Sequence, residues 1–139
     1  MGKQILNGVE YCGSNSNFAL KKIVKYEVTP TLVTGQTNLI KTISANTLQE
    51  GWYLIGIRET YERNTNRSWL YIQGTANKFV FPDTDTNEYI DVRYDASGWT
   101  DFVRSIIVHV INPTTEIKFY LYGNGYSPNK VYITINKFN

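Results

Sequence analysis

The sequence is poor in the side chains that most often carry chemistry. One cysteine, Cys12, and one histidine, His109, rule out an intrachain disulfide and any zinc set built from Cys and His. Cys12 reads as a free thiol in a turn-rich segment, with an interchain contact as the alternative. Ala, Leu, Glu and Met, the strong helix formers, are sparse, and no stretch of a dozen residues holds a helical period. Fourteen basic residues stand against twelve acidic ones, and the basic residues are scattered, with Lys21-Lys22 the only adjacent pair. That distribution gives no concentrated patch for nucleic acid. No run approaches the roughly 20 apolar residues of a membrane helix. Met1-Gly2-Lys3 leads into Ile5 without a long apolar stretch, so the expectation is a chain made in the cytoplasm without a secretory signal, and no membrane partner.

What the chain has instead is aromatic and β-branched. Eleven Tyr, three Trp and six Phe accompany abundant Val, Ile and Thr, a composition that favours strands. Residues 1–36 read as an attachment segment: Asn7-Gly8 is flanked by short apolar arms, residues 13–17 are turn-forming, and one early strand at 23–28 stops at Pro30. From residue 37 onward, short strands recur at spacings of roughly 8–12 residues, as in a sandwich or barrel. They are expected at 39–43, 52–61, 68–72, 78–81, 88–94, 103–111, 116–122 and 131–135. Turns are expected at Asn64-Thr65-Asn66 and Asn112-Pro113, with loops at 83–87 and 95–101. The fold predicted is all-β, an antiparallel two-sheet jelly-roll sandwich over residues 37–139.

Residues 103–111 are apolar on both faces, around Ile106-Ile107-Val108-His109-Val110. A half-buried strand alternates, so this run predicts burial on both sides, one against the core and one against another copy of the chain. Ile107, His109 and Ile111 are the candidate interface residues. A lone histidine in such a strand is expected to be structural rather than catalytic.

No arrangement of an enzyme stands out. Asp83-Thr84-Asp85-Thr86-Asn87-Glu88 starts like a calcium loop, but its sixth residue is Glu88 rather than Gly and its twelfth is Tyr94 rather than Glu. Glu50, Glu59, Glu62, Asp91 and Asp101 could supply a carboxylate pair in number only. Gly123-Asn124-Gly125 lacks the lysine of a phosphate loop. Asn66-Arg67-Ser68 fits a glycosylation triplet, a pattern common by chance. The expectation is a binding domain without cofactor, metal or catalytic residues. Tyr61, Trp99 and Tyr126 fall in or beside predicted loops, where aromatic rings can stack on sugars. Asp95 and Asp101 flank Trp99 at short reach and complete the candidate ligand site.

The stretch from Leu48 onward resembles the jelly rolls of the tumour-necrosis-factor and complement-globular-head type, above all those of phage tail proteins. The resemblance rests on Gly51-Trp52-Tyr53-Leu54-Ile55, residues 64–72 with Arg67, the apolar strand before Asn112, and the ending Tyr132-Ile133-Thr134-Ile135-Asn136-Lys137. Residues 5–11, Ile5-Leu6-Asn7-Gly8-Val9-Glu10-Tyr11, resemble the lead-in of tail-fibre and appendage proteins. Such a resemblance implies a homotrimer and a virion location. It also implies attachment to a tail or baseplate protein through the N-terminal segment, and recognition of host cell-surface saccharide. A structural virion subunit without a ligand, or a carbohydrate-binding module of cellular origin, are the alternatives.

Overall fold

The computed structural model describes residues 3–6, 9–12, 20–82, 89–123 and 127–138; residues 3–6, 9–12, 62–68 and 89–100 are described by backbone alone. All regular structure in them is β: β1 (Lys3–Leu6), β2 (Val9–Cys12), β3 (Leu20–Val28), β4 (Thr37–Ile43), β5 (Gly51–Gly74), β6 (Phe79–Val80), β7 (Tyr89–Val110), β8 (Ile117–Tyr122) and β9 (Lys130–Phe138). β1 and β2 pair antiparallel from Lys3 with Cys12 to Leu6 with Val9, the hairpin that Asn7-Gly8 suggests.

The other strands form one antiparallel network that folds into two layers. The front layer runs β3, β9, residues 51–60 of β5, residues 101–110 of β7, then β6. The back layer runs β4, β8, residues 68–74 of β5, then residues 89–94 of β7. β5 and β7 therefore pass from one layer to the other while paired to each other. With β5 and β7 counted by halves and the two-residue β6 set aside, this is the eight-strand, double-sheet arrangement of a jelly roll. β5 is 24 residues long and β7 22, so each replaces two shorter strands of the sequence-based expectation.

Alternation decides which side is buried. Tyr53, Ile55 and Ile57 of β5, Ile106, Val108 and Val110 of β7, and Val131, Ile133 and Ile135 of β9 point inward from the front layer. Leu70, Ile72, Ile117, Phe119 and Leu121 meet them from the back layer. Each such side chain contributes about 1.5–3 kcal/mol through burial. β3 was expected within the 1–36 segment, yet it pairs with β9 from Leu20 to Val28 and packs Val24, Tyr26 and Val28 on the core. It is a strand of the sandwich. Glycine is required where chain segments touch: a Cβ on Gly123 would lie 2.1 Å from the Val33 carbonyl oxygen. Gly123 is thereby free to exchange backbone hydrogen bonds with Gly35 and Gln36, which seal the loop into β4.

Asn64-Thr65-Asn66 is not a turn, and residues 95–101 are not a loop; both lie within the β5–β7 ribbon, with Thr65 opposite Trp99 and Arg67 opposite Asp95. The ladder is irregular there, shifting register between Thr60 and Thr65 and again by Arg67. Pairing along the ribbon outweighs the turn preference of Asn, Asp and Gly.

Candidate functional site

The outward side of the front layer holds the candidate site, and the strand register builds it row by row. One row aligns Lys25 of β3, Thr134 of β9, Gly56 of β5 and Ser105 of β7. The next aligns Glu27, Tyr132, Arg58 and Val103. In the opposite direction come Leu54 beside Ile107, then Trp52 beside His109. Two-residue steps along the same strands thus divide the surface into an apolar end and a polar end.

At the apolar end the Trp52 and His109 rings stack with centroids 4.4 Å apart and planes 2° from parallel. Trp52 is 45% exposed and Ile107 39%, with Ile111 exposed beyond them. Ile107, His109 and Ile111 therefore share one outward face, as an interface set requires. Burial of residues 103–111 on both sides does not occur within the single chain: Ile106, Val108 and Val110 are buried, whereas Val103, Ile107 and Ile111 are exposed.

At the polar end Gly56 leaves a gap in the side-chain layer. A Cβ there would meet only the Thr134 carbonyl oxygen, at 3.9 Å. Around the gap lies an open groove of about 450 Å³, whose lining includes Lys25, Arg58, Val103, Ser105, Tyr132 and Thr134. The Lys25 ammonium stands 5.2 Å from the Tyr132 ring centroid and the Arg58 guanidinium 5.9 Å from it, so one ring holds two cations beside the groove. Arg58 Nε also meets Asp101 Oδ1 at 3.3 Å, and Lys130 meets Glu27 at 3.3 Å. Among the described residues Lys25 has no carboxylate partner.

The buried side under that end is charged as well. Glu59 and Arg104 form an ion pair inside the sandwich, and the Tyr61 hydroxyl donates to the second Glu59 oxygen at 3.1 Å. Tyr61 was expected as a loop aromatic facing a ligand. Its ring is instead buried, edge-on to Phe102, and offers no face to a sugar. Sequence alternation conceals this, because an acid and a tyrosine two residues apart look like an outward strand face.

The remaining predicted site residues are dispersed. Asp101 is exposed and sits at the groove's edge through Arg58. Asp95 and Trp99 have β7 backbones, and their side chains lie outside the described residues, as do Tyr126 and residues 83–88 entirely. Among the described residues no three His, Cys, Asp or Glu side chains gather as metal ligands. Lys25, Gly56, Arg58 and Tyr132 were not singled out from sequence, since only the β3–β9–β5 register brings them together. The back layer carries a further outward aromatic row, with Trp69 and Tyr122 rings 4.7 Å apart and Tyr71 and Tyr120 rings 5.7 Å apart.

No protein-family model matches the chain, and no curated protein matches it in sequence.

Proposed function

We propose that this chain is a non-enzymatic, self-associating jelly-roll domain of a phage tail or appendage, trimeric and binding host cell-surface saccharide. The observation that carries the proposal is the apolar end of the front layer. Trp52, Ile107 and Ile111 expose a contiguous strip on a domain whose core is already filled, and such strips mark protein interfaces. The jelly-roll strand order supports the likeness to trimeric tail domains drawn from residues 48–137. Saccharide recognition is supported by the outward aromatic side chains of both layers, since flat rings can stack on sugar faces. In this proposal, the segment before Leu20 attaches the domain to a tail or baseplate protein.

The test is the solution mass of the intact chain, with two variants. Light scattering should give three chains per particle. Ile107→Asp should yield a folded monomer, because residue 107 is solvent-accessible in the single chain while a charge there is excluded from an apolar interface. Ile106→Asp, next to it along β7 but on the buried face, should unfold the domain instead. A monomeric unmutated protein overturns self-association. A trimer that binds nothing on a panel of bacterial surface glycans would favour a purely structural virion subunit.

A further inference from the structure

We infer that the groove over Gly56 is a binding site for a negatively charged saccharide unit, one carrying a carboxylate or phosphate group. This deepens the saccharide-binding proposal and rests on it. Three features of the groove point the same way.

The first is room: Gly56 is the one position in its row without a side chain, and the space above it is open to within 3.9 Å of the neighbouring backbone. The second is charge. Arg58 and Lys25 flank Tyr132, and Arg58 spends its Nε on Asp101 while Lys25 has no carboxylate among the described residues. Counting Lys25, Arg58 and Lys130 against Glu27 and Asp101 leaves one positive charge in excess at this end of the face. The third is hydrogen-bonding variety. Ser105 and Thr134 place hydroxyls in the groove, able to donate to or accept from sugar hydroxyls, and Val103 gives an apolar wall for a C–H face. A neutral sugar would leave Lys25 unanswered. A bare inorganic anion would leave the hydroxyls and the apolar wall unused.

Isothermal titration of the full chain with four probes tests this. They are a galacturonic acid oligomer, a phosphorylated mannose oligomer, a neutral galactose oligomer and polyglutamate. The expected result is binding of one or both charged sugars, with the neutral sugar and polyglutamate much weaker. Lys25→Gln should weaken the charged-sugar affinity by about tenfold, the loss of one charge-assisted contact. Gly56→Val should abolish it by filling the groove, and it suits a strand, so circular dichroism should show the fold unchanged. Equal binding of the neutral sugar, or charged-sugar binding that neither variant alters, overturns the groove while leaving saccharide recognition elsewhere intact. Polyglutamate binding as tightly as the sugars overturns it too, as a site for acidic chains of any kind. If none of the sugars binds, both the groove and the saccharide proposal fall.

Discussion

The two ends of the front layer are made by the same strands, yet they are held together by different physics. Near Gly51 and Val110, the buried side is Tyr53, Ile55, Val108 and Val110, and the outward side is Trp52, Leu54, Ile107 and His109. Eight residues along β5, the buried side holds Glu59, Tyr61 and Arg104, and the outward side holds Arg58 with Tyr132. One end is constrained by volume, the other by charge pairing. The difference teaches that a continuous strand can change its environment on both faces at once, with no break in its hydrogen bonding.

Cutting the buried ion pair should produce the largest effect. Arg104→Met removes the guanidinium that answers the buried Glu59, and breaking a buried ion pair by deleting one partner costs about 3–5 kcal/mol. Urea denaturation should show that loss. The double variant Glu59→Leu with Arg104→Met should recover most of it, because replacing both members of such a pair by apolar residues is often neutral. A single variant as stable as the unmutated protein would erase the distinction between the two ends.

The apolar end should answer to size instead. A Cβ on Gly74 would lie 2.3 Å from the Phe79 ring, which is fully buried and whose backbone pairs with Val110. Gly74→Ala should therefore cost about 1–3 kcal/mol by overpacking. Thermal melts read this, and the companion change Phe79→Leu should restore part of the loss by making space.

The smallest effect is pH-dependent and belongs to the apolar end. Tyr53 is buried, and desolvation raises its phenol above the ordinary value of 10.0, although its hydroxyl donates to the Gln49 carbonyl at 2.7 Å. A raised value in the folded state means that folding favours the neutral phenol. Tyr53's contribution is therefore whole below about pH 10 and is lost as pH rises through the raised folded value. Tyr53→Phe should cost about 1 kcal/mol at neutral pH for the missing hydrogen bond. It should also remove its share of the alkaline decline, so the gap between variant and parent narrows above pH 10 in urea titrations. A gap that stays constant from pH 7 to beyond 10 would count against this account of Tyr53.

Much of the fold was legible because alternation is a local signal. Residues 116–122 and 131–135 show apolar positions at every second residue, and β8 and β9 lie there with Ile117, Phe119, Leu121, Val131, Ile133 and Ile135 buried. The chain through 64–66 and 95–101 was misjudged, since Asn, Asp and Gly carry turn preference while ladder pairing is invisible without the partner strand. The apolarity of residues 103–111 was legible in one strand, but that Ile107 faces outward and Ile106 inward was not. Lys25, Arg58 and Tyr132 come from three strands far apart in sequence, and nothing local links them. Tyr61 failed for the opposite reason: its hydroxyl serves a buried carboxylate, which no surface pattern announces.

The shared ownership of β5 and β7 by both layers bears on how the molecule comes apart. In a sandwich whose sheets meet only through side chains, one sheet could peel away and leave the other's backbone bonds intact. Here the layers cannot separate while the Gly51–Val110 and Gln73–Tyr89 ends of the same ribbon stay zipped. Force applied to the last residues of β9 would load its ladders with β3 and β5 together, and through β5 the ribbon that both layers hold in common. The domain is therefore built to resist pulling as one cooperative body and to let go all at once.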